Sequence, residues 1–321
     1  MKIALNTYSL RNEWEMMKAI AGGYGPALKV IEMLGVKDIE LLDRTFHSDP
    51  KMLEELQGAF NARGISIFAL GPHVNPLLDK SGRPERIEEF KHWTDMAADH
   101  GIHMYRVSLG GGKWSGDTYP KWIDPSQNLN PKVDKLPFDF SKPGEDIPIA
   151  EAVEATAEVL EPAVTYAEGR DVSLCIETHH RFSSNPAYHA ALLERIDSRN
   201  LGFAYDIGNY ETDALRWEAL EGLIKKEAIK YVHAKAYDFD EKGFETTLDY
   251  PKAIKMMDDA GLDLFWSIEW EGKRAGPIGS LATNELVKYS IAQVQGKEYE
   301  IDTSYWEMDE NEFMDNLLDE E

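Results

Sequence analysis

The chain has 321 residues, 43% of them hydrophobic, with 58 acidic residues against 34 Lys and Arg and a formal charge of −24. That length and apolar fraction suit one large barrel or two modest domains and exclude a small disulfide-stapled scaffold, and no run of about 18 apolar residues offers a membrane-spanning helix. The acidity opposes nucleic acid and anionic membranes as partners, and the single cysteine, Cys175, forbids an internal disulfide, in keeping with a cytoplasmic setting.

In chain order, KIALNTYSL reads as a first strand and lacks the cleavage pattern of a signal peptide. A helix follows around GPALKVIEMLGV, then the strand DIELLD and the helix DPKMLEELQGAFNARG, closed by Gly64. ISIFALGPHV is strand three, RPERIEEFKHWTDMAADHG a helix, and HMYRVSLGG strand four. The helix IAEAVEATAEVLEPAVTYAEG carries Pro162, where a kink or break is expected. VSLCIETHH is strand five, NPAYHAALLERIDS a helix, LGFAYDIGN strand six and RWEALEGLIKKEA a helix. IKYVHAKAYDF, DYPKAIKMMDDAG, LFWSIEWEG and SLATNELVKYSIAQVQ complete strands seven and eight with their helices.

Eight strand-then-helix units of roughly 30 residues, whose strands lack clean alternation, predict parallel strands buried on both faces. The fold class is therefore α/β, a single (β/α)8 TIM barrel over residues 1–296. An open doubly wound sheet would want a GxGxxG turn after an early strand, and none is present. Residues 111–147, after strand four, hold Trp114, Tyr119, Trp122, Phe138 and Phe140. So much apolar surface in a long loop on the active-site face predicts a lid-like insertion, with Trp114 against substrate. Residues 297–321 form an acidic C-terminal extension.

Barrel strands converge at their C-terminal ends. Strands five to eight each deliver an ionisable residue there: Glu177, Asp206, His233 and Glu269. Carboxylates gathered in one pocket repel one another, and a divalent cation removes the conflict. Three carboxylates and one imidazole suit Mn2+ best, with Mg2+, Co2+ or Zn2+ as alternatives, and lean away from structural zinc. His73, Arg106 and Lys235 lie late in strands three, four and seven as candidate substrate binders, with Lys235 alternatively paired to Asp238. Asn6 and Tyr8, on strand one, are further candidate binders, and Trp270 and Glu271 flank Glu269 as candidate mouth residues. His179, two beyond Glu177, shares its face if the strand continues, and an imidazole suits proton transfer at neutral pH.

These motifs, IETHH, YDIGN, VHAKAYDF and IEWEG, resemble the xylose isomerase-like sugar isomerase/epimerase superfamily of barrels over nearly the whole barrel. The resemblance implies that Glu177, Asp206, His233 and Glu269 bind the metal, and that Glu177 and Glu269 act as the acid/base pair on a carbohydrate substrate. Many members have a substrate-contacting His three residues after the strand-six Asp. Here that position is Asn209, which hydrogen-bonds without shuttling protons. The expected activity is isomerisation or epimerisation of a sugar or sugar-like polyol. A lyase of the same scaffold, dehydrating a keto-inositol or cleaving a 3-keto-glycoside with His179 as base, is the alternative. The superfamily's endonuclease branch is opposed by the charge of −24, and a non-catalytic sugar-binding module would not need the full ligand set. A homo-oligomer or a small partner subunit fits either enzyme.

Overall fold

A computed structural model describes residues 1–14, 24–76, 82–109, 149–179, 181–210 and 212–319. Eight parallel strands form a closed barrel in sequence order: β1 (Lys2–Asn6), β2 (Asp38–Leu42), β3 (Ser66–Gly71), β4 (Met104–Val107), β5 (Ser173–Glu177), β6 (Leu201–Asp206), β7 (Ile229–Ala236) and β8 (Phe265–Trp270). Between and after them run α1 (Gly25–Leu34), α2 (Pro50–Asn61), α3 (Arg83–Asp99), α4 (Ile149–Glu168), α5 (Pro186–Arg195), α6 (Asp213–Lys225), α7 (Tyr250–Asp259) and α8 (Gly276–Val294). No helix among the described residues is long and apolar enough to cross a membrane.

The helices start and stop where side chains satisfy their loose backbone groups. Asn185 caps α5 by accepting the Ala187 and Tyr188 N–H groups, and Thr212 caps α6 by accepting that of Leu215. α1 ends at Gly35, whose φ of 68° is left-handed and open to glycine. α4 corrects one expectation, because it runs unbroken through Pro162. A proline inside a helix costs about 3 kcal/mol. Val159, Leu160, Ala163, Val164 and Ala167 bury their side chains on either side of it, and that packing holds the helix across the missing bond. β1 is shorter than expected. It ends at Asn6, and Thr7–Leu10 form a 3-10 turn.

The chain falls into two compact units. The first comprises Met1–Phe46, Lys51–Ile67 and Val232–Glu321, and the second His47–Pro50 and Phe68–Tyr231. In the first, β1 pairs with β2 and β8, setting Asn6 level with Glu40 and Ala4 level with Ser267. β7 pairs with β8, setting His233 level with Ser267 and Lys235 level with Glu269. Level residues on parallel neighbours share a face. Glu40 on β2 reaches His233 on β7, two strands that are not neighbours, so this face is the barrel interior. Trp266, Ile268 and Trp270 therefore face the helices. In the second unit, Arg106 is level with Cys175, and Glu177 with Ala204. By alternation Arg106, Cys175, Glu177, Ala204 and Asp206 share one face.

Part of the C-terminal extension is folded onto the first unit as α9 (Ser304–Glu307) and α10 (Glu310–Asp319). Tyr299 donates its hydroxyl to Glu285 at 2.7 Å, and Leu317 is buried. Trp306 stands edge-on to Trp270 and Phe239, with ring centroids 5.6 and 5.1 Å away, and Arg274 donates to the Trp306 and Met308 carbonyls.

Candidate metal centre

In the second unit, β5 ends on Glu177 and β6 on Asp206, both buried. The Arg106 guanidinium lies 3.1 Å from Glu177 Oε2 and compensates its charge. Asp206 is held by neutral donors. Its Oδ1 accepts the Gly208 N–H at 2.7 Å, and its Oδ2 accepts Asn209 Nδ2 at 2.8 Å. Its own N–H donates to Thr178 Oγ1 at 2.8 Å. A 3-10 turn, Arg181–Ser184, ties the loops after both strands. Ser184 Oγ donates to the Asn209 carbonyl, and Ser183 Oγ accepts the His179 N–H, each at 2.7 Å. His189 Nε2 meets the Ser183 carbonyl at 2.7 Å. Burial pushes the His189 pKa down to about 4, against the opposing pull of that bond, so the imidazole is neutral and donates through Nε2.

In the first unit the polar groups are charged. His233 Nε2 lies 3.0 Å from Glu40 Oε2, which also accepts Ser267 Oγ at 3.1 Å. On its other side, His233 Nδ1 lies 2.8 Å from Glu269 Oε2. Lys235 Nζ bridges Glu269 at 2.9 Å and Glu271 at 3.0 Å, and the Tyr8 hydroxyl donates to Glu271 at 2.9 Å. Burial by itself would raise the Glu271 pKa, but the Lys235 ammonium holds it below the ordinary carboxylate value. Burial, with Glu271 alongside, pushes the Tyr8 hydroxyl up, so it stays a donor.

One ligand atom from each of Glu177, Asp206, His233 and Glu269 lies within 4.8 Å of the others, and all four residues are buried. The donor set fits a divalent cation by its own chemistry. A carboxylate can only accept, so Glu40 favours the tautomer in which Nε2–H donates to it, and in that tautomer the Nδ1 lone pair faces a carboxylate oxygen. Two acceptors 2.8 Å apart repel unless a proton or a metal ion stands between them. Three carboxylates and one imidazole are oxygen-rich ligands for a hard or borderline divalent ion.

Of the residues singled out in the sequence, these four are thus brought together. Arg106 and Lys235 lie on the inner layers, each bonded to one of the glutamates. Lys235 pairs with Glu269 and Glu271, which corrects the Asp238 alternative. Asn209 gives its amide to Asp206. His73 lies two residues past β3 with its side chain exposed. His179 follows the end of β5, so strand alternation does not extend to it, and it is half-buried. Trp270 does not line the mouth. It is buried against α8, where a Cβ on Gly279 would come within 2.0 Å of its indole. Trp114 and the insertion 111–147 lie outside the described residues. Glu40 was not anticipated. Its signal was a carboxylate between Ile39 and Leu41 at the centre of the strand DIELL.

The chain matches the family model described as a xylose isomerase-like TIM barrel over residues 28–292. A curated relative, the C-glycoside deglycosidase alpha subunit of Arthrobacter globiformis, is 38% identical over 60 residues, covering 19% of this chain and 17% of that protein. Among solved structures, a D-tagatose 3-epimerase-like protein superposes with a TM-score of 0.65 at 16% identity, over 92% of this chain and 99% of the other. The IOLI protein with a binding zinc atom superposes with a TM-score of 0.61 at 15% identity, over 96% and 100%. At these identities the structural likeness concerns the fold.

Proposed function

The chain belongs to the xylose isomerase-like TIM barrel family, and we propose that it is a divalent-metal-dependent enzyme that isomerises or epimerises a sugar or sugar-like polyol by moving a proton next to a carbonyl. The observation that carries this reading is the buried quartet of Glu177, Asp206, His233 and Glu269. These residues would hold the ion, with Mn2+ favoured by the oxygen-rich donors and Mg2+, Co2+ or Zn2+ as alternatives. When bound, such an ion polarises the substrate carbonyl and so acidifies the neighbouring C–H.

The chain's own groups divide the remaining work. Glu177 and Glu269 are the acid/base pair, one removing the proton and the other returning it. Arg106 and Lys235 orient them by charge-assisted hydrogen bonds. Asp206, with a neutral donor on each carboxylate oxygen, is suited to holding the ion and not to moving a proton. The substrate is a carbohydrate without phosphate. A cytoplasmic setting is part of this reading, in line with the single, buried cysteine.

A second reading, a lyase with His179 as the base, is favoured by the stretch shared with the deglycosidase alpha subunit. That name also makes a partner subunit part of the second reading. Product analysis by NMR separates the two, using metal-loaded protein with free ketoses, inososes and 3-keto-glycosides. Isomerised sugar with near-normal turnover in His179→Ala supports the first reading. Release of an aglycone or water, slowed roughly 10²–10⁴-fold in His179→Ala, overturns it in favour of the second.

A further inference from the structure

The inner face of the first unit carries a buried polar group that neither the fold nor the proposed proton transfer accounts for. Asn6 closes β1, and its side chain is wholly buried. Its Oδ1 accepts the Tyr8 N–H at 2.9 Å and caps the 3-10 turn Thr7–Leu10. Only the oxygen of an amide accepts, so this bond fixes which way the group is turned. Nδ2 is the other end, and it has no hydrogen-bond partner among the described residues. An unpaired buried donor destabilises a fold, and native folds keep such groups where something other than the protein completes them.

The strand register says what lies around it. Asn6 is level with Glu40 on β2. On the other side Leu5 is level with Ile268, so the next step brings Asn6 level with Glu269. Asn6 therefore belongs to the inner layer of Glu40, Glu269 and Lys235. Those neighbours are engaged with one another and with His233 and Ser267. The amide oxygen is the end engaged by the Tyr8 N–H. What the other end offers is the N–H donors of Nδ2, which do not titrate with pH.

We infer that Asn6 Nδ2 donates a hydrogen bond to a substrate oxygen, a hydroxyl or carbonyl oxygen of a neutral polyhydroxylated molecule held beside Glu269. This assignment rests on the proposed function and adds a substrate-positioning residue on β1. An aspartate of the same shape would keep the cap, but it would offer the substrate an acceptor and add a further carboxylate to a layer that already holds Glu40 and Glu269.

The test uses the full chain loaded with metal, and the best-used member of a panel of D-psicose, D-tagatose and a 3-keto-glucoside, with its mono-deoxy analogues. Asn6→Asp preserves the acceptor for the Tyr8 N–H, and Asn6→Ala removes both functions. The expected result is a rise in KM of roughly 10- to 100-fold in both variants, with kcat changed less. Asn6→Ala should keep its metal, and one deoxy analogue should be used equally by wild type and variant. Wild-type KM in a folded Asn6→Asp protein, with a defect only in Asn6→Ala, would mean that Asn6 is a turn cap alone and would overturn the inference. Loss of metal from Asn6→Ala would overturn it too, by making the residue part of the metal scaffold. If metal-loaded wild type neither binds nor converts any panel member, the proposed function falls first and this inference falls with it.

Discussion

Around Asp206 the second unit works with neutral donors, namely a backbone N–H, the Asn209 amide and the Thr178 hydroxyl. Around His233 and Glu269 the first unit works with charges, placing Glu40 on one side and the Lys235–Glu271 pair on the other. Neutral donors fix the position of a carboxylate and leave its charge for whatever binds. Charged partners also favour one tautomer, since Glu40 can only accept and so draws the N–H of His233 to Nε2. Glu177, paired with Arg106, is wired like the candidate ligands of the first unit.

The largest effects should come from breaking buried ion pairs, which costs about 3–5 kcal/mol when one partner is removed. Lys235→Met removes the ammonium from two carboxylates, Glu269 and Glu271, whereas Arg106→Met removes the guanidinium from one, Glu177. Urea unfolding should therefore show the greater loss for Lys235→Met. An equal loss would mean that the charged wiring of the first unit is no more demanding than the single pair of the second.

Acid should separate the units next. The folded pKa of His189 lies below its unfolded value of 6.5, so the unfolded chain takes up the proton first as pH falls. Stability is then lost from about pH 6.5 down to about 4, by up to about 3 kcal/mol. Glu271 acts lower. Its depressed pKa stabilises the fold above its ordinary value of 4.5, and that contribution disappears as pH falls below it. Melting temperatures followed by circular dichroism should show both windows. His189→Asn, which keeps a donor for the Ser183 carbonyl but does not titrate, should flatten the upper one alone.

Smaller effects sharpen the contrast. Glu40→Gln should weaken divalent-metal affinity by about 10- to 100-fold in chelator competition, because the imidazole loses the partner that fixes its tautomer. Unchanged affinity would remove Glu40 from the metal's support. Thr178→Val should cost about 1 kcal/mol, the worth of an ordinary hydrogen bond to Asp206, with metal affinity reduced less than in Glu40→Gln.

Much of the fold was legible because strand and helix periods are local. The eight βα units, the parallel strands and the strand-end positions of Glu177 and Asp206 follow from short-range pattern, and the structure has them as read, whereas His233 lies inside β7 and Glu269 one residue before the end of β8. Where local pattern stops, so did the reading. The expected β1 ran past Asn6 because an apolar run cannot show that the Asn6 side chain turns back to cap a 3-10 turn. At Pro162 a kink or break is expected, and no break occurs, because the packing that carries α4 through it comes from other elements.

The amino-acid sequence by itself determined the class of barrel, the four candidate ligands and the chemistry of their donor set, since each depends on residue type and spacing along one strand. Only the tertiary structure decided that Glu40 meets His233 across 193 residues of chain, that Lys235 bridges Glu269 and Glu271, that Trp270 faces the helices, and that Asn6 turns its amide oxygen to the Tyr8 N–H. The reason is physical. Which groups meet inside a closed barrel depends on strand register and closure, and register is set by how all the strands pack together and not by any one of them.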